Sequence, residues 1–220
     1  MRLFELIKIA YFLFRYSSDS QNYRWIEKTR NLNLIQSQLK AVTSSLMKDR
    51  EGARLFERKP LFCSSSLTIA SLESAQDGSL AKEYARFLKL HGLKPVFYNR
   101  KVLEVQGDES YFVHRILQTH DLWHVVLGYN TSELHEIELQ TFLFRQTGWP
   151  TAPYIIGGYI IREAAKNCTN LPNVFEAVTR GWARAADHAS MFLLDWDLLW
   201  DRQVEEIREL TLKKAEPKFA

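Results

Sequence analysis

The chain has 220 residues, of which 46% are hydrophobic, 13% aromatic and 25% charged. That apolar load excludes a disordered chain and is enough to build one sizeable core. The net charge of +3 is too small for a dedicated nucleic-acid binder, but it is unevenly spread. Residues 1–60 carry 12 Lys/Arg against 6 Asp/Glu, and residues 61–220 carry 17 against 20, so the first quarter suits an anionic surface.

In chain order, Arg2–Tyr16 has the spacing of an amphipathic helix, with Leu3, Leu6, Ile7, Ala10 and Phe14 on one face. Such a helix either packs on the domain or lies in a membrane interface with Arg2, Lys8 and Arg15 near the headgroups. Further helices are predicted over Gln21–Met47, Glu51–Glu57, Thr68–Leu72 and Leu80–Leu90, the last capped by Ser79 and stopped at Gly92. Lys94–Gln106 reads as extended. Asp108 then caps a helix from Glu109 to Leu127, Gly128-Tyr129-Asn130 turns the chain, and Asn130 with Glu133 starts a helix to Gln146. Gly148-Trp149-Pro150 ends it, and helices follow over Ala152–Lys166, Val174–Met191 and Leu194–Lys213.

Gly and Pro, at 9 and 6 residues, are too scarce for an all-β fold. The expectation is a single all-α domain over residues 1–220 without linker or repeat. No segment approaches the ~20 apolar residues of a membrane span. The N-terminus makes a poor signal peptide, whereas Arg2, Lys8, Arg15 and Arg24 among several Ser residues keep a mitochondrial transit peptide open, with Glu5 and Asp19 weighing against it. Cys63 and Cys168 are isolated, which fits buried thiols in a reducing compartment.

Four of the six histidines, His114, His120, His124 and His135, fall within 22 residues. His120 and His124 stand one helical turn apart, so both imidazoles reach one point. Asp121 adjoins the first as a ligand or an outer-shell group, and the hairpin at 109–147 brings Glu136 to the same height. An isolated H-x-x-x-H pair is most often an ordinary core or surface feature. The adjoining carboxylates and the apolar Leu117, Leu122, Val125 and Val126 around this pair favour a divalent metal. Zn²⁺ is the leading choice, with Fe, Co, Mn or Mg as the others. Asp121 stands where a metalloprotease H-E-x-x-H would need Glu. The aromatic run of Phe142, Phe144 and Trp149, followed by the Gly157-Gly158 pair, fits a core and dimer interface or, as the alternative, a groove for a prenyl chain.

His120-Asp121-Leu122-Trp123-His124, eleven residues and then Glu136 resemble the H-D-x-x-H-x(11)-E motif of the coenzyme Q biosynthesis protein 4 family. Tyr111 and Arg115 before the histidines, Val125 and Gly128 after them, and Asp195–Trp200 with Val204–Arg208 extend the resemblance. Where members usually carry Gly, His135 precedes Glu136 and would crowd the hairpin or add a metal contact. The resemblance implies an all-α, homodimeric protein working peripherally at a membrane. In a bacterium this would be the cytoplasmic face; in a eukaryote, the matrix side of the mitochondrial inner membrane. It implies a metal held by His120, Asp121, His124 and Glu136, acting catalytically through that metal in oxidative decarboxylation of a polyprenyl hydroxybenzoate. Tyr111, Arg115 and Phe144 would meet the isoprenoid lipid, and other quinone-biosynthesis enzymes would be partners. Two alternatives stand beside this reading. One is a non-catalytic lipid-binding scaffold of the quinone-synthesis complex. The other is an HD-type phosphohydrolase, for which His91, Asp187 and Asp195 would have to supply the missing ligands.

Overall fold

The computed structural model describes residues 3–4, 7–9, 11, 32–62, 67–95, 107–166 and 168–212. Among them the regular elements are helices α1 (Asn33–Leu46), α2 (Arg50–Arg58), α3 (Ile69–Glu73), α4 (Leu80–His91), α5 (Asp108–Leu127), α6 (Glu133–Thr147), α7 (Ala152–Lys166), α8 (Leu171–Asp187) and α9 (Val204–Thr211). Two 3₁₀ turns, Met191–Leu193 and Trp196–Leu198, precede α9. The fold is all-α, as expected. The predicted Gln21–Met47 helix is described from Asn33, and most of the Lys94–Gln106 stretch lies outside the described residues.

Local chemistry explains most of the boundaries. Asp49 accepts from the Glu51 and Gly52 backbone N–H groups, Thr68 and Ser71 form a capping box, and Ser79 accepts from Lys82 N. Two caps differ from the prediction. Asp108 is already the first residue of α5, with Gly107 at the cap, and its carboxylate pairs with Lys59 at 2.9 Å. Ser132 caps α6 by accepting from His135 N at 3.4 Å, whereas Asn130 closes the turn by accepting from Ser132 N at 2.8 Å. An Asn side chain readily bonds the backbone two residues on, which makes it a turn-former here. Gly128 ends α5 at φ +72, a conformation that L side chains resist.

The largest departure lies at the C-terminal end. The helix predicted over Leu194–Lys213 shrinks to Val204–Thr211, and α8 starts at Leu171, with Pro172 in its first turn, and stops at Asp187. The intervening backbone satisfies groups elsewhere. The carbonyls of Arg202 and Trp200 accept from Leu80 N at 2.8 Å and Ala81 N at 2.9 Å, covering the open N-terminus of α4. The Trp196 indole N–H bonds the Met191 carbonyl at 3.0 Å inside the core.

Helix α5 runs through the middle, flanked by α1, α4 and α9. Between α5 and α6 the space is filled by side chains, Trp123 packing edge-on to Phe142 at 5.8 Å. Helix α8 lies close along α6, because a Cβ at Gly181 would come within 2.3 Å of the Glu138 carbonyl oxygen. The main core takes in Phe112, Trp123, Phe142, Trp149, Phe192 and Trp196, and a smaller cluster of Ile137, Ile155, Tyr159, Val174 and Ala177 joins α6, α7 and α8. Among the described residues no helix is long and apolar enough to cross a membrane.

Candidate metal centre

The hairpin brings His120, His124 and Glu136 together, one ligand atom of each lying within 4.8 Å of the others. His120 Nε2 is 3.4 Å from Glu136 Oε1, and His124 Nε2 is 3.3 Å from Glu136 Oε2. The carboxylate therefore offers one oxygen to each imidazole. Two donors each ~2.1 Å from a tetrahedral ion stand ~3.4 Å apart, so these separations are those of neighbouring ligands. The donors fit a divalent ion. His124 and Glu136 are 2% and 6% exposed, while His120 is open at its edge.

Asp121 approaches from the other side. Its Oδ1 lies 3.3 Å from His120 Nδ1, the ring nitrogen facing away from Glu136, and it is not among the three clustered donors. A carboxylate on the second nitrogen fixes the tautomer and makes the first a better ligand. Gln140, which the sequence pattern did not single out, is one helical turn beyond Glu136. Its Nε2 donates to Glu136 Oε1 at 2.7 Å and lies 3.3 Å from His120 Nε2. Gln140 Oε1 and His124 Nδ1 are buried without hydrogen-bond partners among the described residues. The signal for Gln140 was its i+4 spacing from Glu136, legible only once Glu136 is known to face inward.

Charge is concentrated here. Burial opposes protonation of His120, but the Glu136 carboxylate and a hydrogen bond to Asp121 outweigh it and raise its pKa to about 10. Burial favours the neutral acid at Glu136, yet the two histidines hold its pKa well below 4.5. Burial, reinforced by the Asp121 charge, pushes the phenol of Tyr84 upward from the neighbouring α4.

Behind His124 opens a cleft of about 820 Å³ between α4, the end of α5 and α9, lined by Phe87, Leu90, Val125, Tyr129 and Val204 among others, with Arg86, Lys89 and Arg208 also on its walls. Phe87 stacks on the His124 ring at 5.4 Å, forming a partition between cleft and donors.

The other predicted residues are placed elsewhere. Arg115 is buried, its guanidinium donating to the carbonyls of Phe192 at 3.0 Å, Pro60 at 3.3 Å and Leu194. Tyr111 is buried beside it, and burial raises its phenol to about 12 against the pull of Arg115. Phe144 is half-buried against the main core, and Phe142 and Trp149 belong to that core. Gly157 faces open space. His135 turns to the hairpin bend, with Nδ1 2.8 Å from Asn130 Oδ1 and its ring on Tyr129 at 5.2 Å. His91 meets Thr131 at 2.9 Å and Asp195 pairs with Arg58 at 3.1 Å, so neither joins the cluster. Cys168, expected to be buried, is exposed; Cys63 lies outside the described residues.

Residues 19–216 match the family described as coenzyme Q (ubiquinone) biosynthesis protein Coq4. The chain belongs to the Coq4 family. It is 29% identical over 175 residues to the human mitochondrial ubiquinone biosynthesis protein COQ4 homolog, an alignment covering 78% of this chain and 64% of that protein. The mouse homolog is 34% identical over 114 residues, 51% of this chain and 42% of that one. The chain thus spans less than two thirds of the length of these Coq4 relatives. A crystal structure from Nostoc punctiforme, of a protein assigned to ubiquinone biosynthesis, superposes with a TM-score of 0.80 at 27% identity, covering 94% of this chain and 95% of that one. The Coq4 match takes in the described residues from 32 to 212, and the His120, His124 and Glu136 cluster lies within it.

Proposed function

We propose that this Coq4-family chain binds a divalent metal and a prenylated aromatic acid, and supports oxidative decarboxylation of the ring of a polyprenyl hydroxybenzoate, with O₂ as oxidant. The observation that carries the reading is the buried group of His120, His124 and Glu136 at ligand spacing, next to a largely apolar cleft. When bound, the ion supplies Lewis acidity at the ring carboxylate and the adjoining phenolic oxygen. Glu136 and the two imidazoles hold it, and Asp121 keeps His120 in the tautomer whose Nε2 faces inward. Phe87, Val125 and Val204 give the cleft an apolar surface for a prenyl chain, and its charged rim is mixed, with Arg86 paired to Glu83 at 2.5 Å and Arg208 to Glu205 at 2.7 Å.

Zinc, the first choice of ion, would supply Lewis acidity for loss of CO₂, and reduction of O₂ would call for a redox-active ion such as iron or manganese. The donors suit all three. At the N-terminal end Leu3, Phe4, Ile7 and Tyr11 are exposed while Ile9 is buried in the core, which supports peripheral membrane attachment through one apolar stripe. A homodimer, which the family resemblance implies, belongs to the same proposal, as do quinone-pathway enzymes as partners. The test is turnover of a prenylated hydroxybenzoate by metal-loaded protein. Release of CO₂ that disappears in His124→Ala and Glu136→Ala supports it. Retention of prenyl lipid without turnover would leave the scaffold role instead.

A further inference from the structure

We infer that Gln140 is a protein ligand of the metal centre, donating its carboxamide oxygen beside His120, His124 and Glu136. The inference rests on the metal reading above and goes beyond the H-D-x-x-H-x(11)-E pattern, which ends at Glu136. The terminal atom of Gln140 that faces the cluster is 2.7 Å from Glu136 Oε1 and 3.3 Å from His120 Nε2. The 3.3 Å separation matches the 3.3–3.4 Å between the imidazole nitrogens and the carboxylate oxygens, and the 2.7 Å contact is a hydrogen bond that holds the Gln140 head group against the same carboxylate. Gln140 therefore occupies a corner of the same polyhedron.

The two terminal atoms of a carboxamide exchange by a half-turn about the last side-chain torsion, which is broad and roughly two-fold. Without a cation, the NH₂ group points inward, because Glu136 is an acceptor. The oxygen is then left buried without a partner among the described residues. A divalent ion reverses this preference. It takes up the lone pair of Glu136 to which the NH₂ group now donates, and it repels the partial positive charge on that group. Turning the oxygen inward meets the ion with a lone pair. Asp121 cannot fill the same corner in this arrangement, because it stands at His120 Nδ1 on the outer side of the ring.

Two consequences follow for chemistry. A neutral carbonyl donor beside a single carboxylate leaves a bound dication with net positive charge, which favours an anionic organic ligand over a neutral one. A carbonyl oxygen also shifts the preference of the site toward harder ions such as Mn²⁺ and Mg²⁺, relative to a purely imidazole-rich set.

Co²⁺ titration of the full chain, followed by calorimetry and visible absorption, tests the inference without any activity measurement. Gln140→Leu should weaken Co²⁺ binding by roughly two orders of magnitude, beyond the tenfold of an outer-shell group, and alter the absorption band as water replaces the lost donor. Gln140→Glu, nearly isosteric, should bind Co²⁺ more tightly than wild type with its own shifted band. If Gln140→Leu and Gln140→Glu both bind with wild-type affinity and spectrum while His124→Ala loses binding, the role of Gln140 is overturned and the metal reading stands. If the wild type binds Co²⁺ no better than His124→Ala, the metal reading falls and takes this inference with it. Should Gln140→Leu fail to fold, Gln140→Glu decides alone: tighter binding supports the role and unchanged binding overturns it.

Discussion

Helix α5 carries a buried polar group near each end, and the two are handled in opposite ways. Arg115 finds three backbone carbonyls, from Phe192, Pro60 and Leu194, and its charge ties three loops to the helix. His120 and His124, one and two turns further on, meet a carboxylate and an amide but leave His124 Nδ1 and Gln140 Oε1 buried without partners among the described residues. A satisfied buried network stabilises a fold; one with unmet atoms at ligand spacing marks a place where something else binds. Sequence reasoning assigned both ends to the site. The structure separates them.

Arg115→Met should sharpen that contrast most. It strips the carbonyls of their donor and should cost about 3–5 kcal/mol of stability, read by denaturant unfolding. The metal affinity of the folded fraction should stay near wild type; a collapse of affinity with stability intact would break the comparison. Glu136→Ala should instead be read first in metal affinity. Metal binding measured by competition with a chromophoric chelator should fall by roughly two orders of magnitude, and the metal-free protein should also lose stability, because buried His120 is left without its carboxylate. Asp121→Asn is expected to lower metal affinity about tenfold, the usual scale for an outer-shell carboxylate on a ligating histidine. An effect as large as that of Glu136→Ala would instead make Asp121 a direct ligand.

Ser132→Ala removes the cap of α6 and should cost about 1 kcal/mol in thermal stability, leaving metal affinity unchanged. Another signal is spread over several pH units. His120 in the metal-free protein is held at about 10, above its ordinary 6.5. Its contribution is complete below pH 6.5 and is lost as pH rises toward 10. Glu136, held well below 4.5, contributes above that value and loses its contribution as pH falls. Metal-free stability should therefore peak between about pH 4.5 and 6.5, and Glu136→Gln should flatten both flanks. A profile that is already flat in the wild-type protein would show that the pair is not charged.

Helices α2, α3, α4 and α7 were legible to within a residue or two, since their caps and apolar spacing are local. The stretch from Leu194 was not. Its composition is helical, but the carbonyls of Trp200 and Arg202 bond the first turn of α4, about 120 positions upstream, and nothing in the local pattern announces that. At the site the histidine pair was legible from its one-turn spacing, and Glu136 from the hairpin that follows. Gln140 was not, because a Gln in an amphipathic helix is unremarkable until its neighbour is known to point inward. The aromatic run after Glu136 divided the same way: composition allowed a groove or a core, and packing puts Phe142 and Trp149 in the core.

What the sequence by itself determined is the all-α class, the hairpin and the three clustered residues that could hold a metal, together with the family that carries this pattern. All of these depend on spacings of a few residues, where helix geometry leaves little freedom. Tertiary structure decided which polar residues are spent on the fold and which are left for chemistry. Arg115 went to backbone carbonyls, Asp121 to the outer nitrogen of His120 and Gln140 to the inner face. The physical reason is that burial and hydrogen-bond satisfaction are settled between segments far apart in the chain, and only packing brings those partners together.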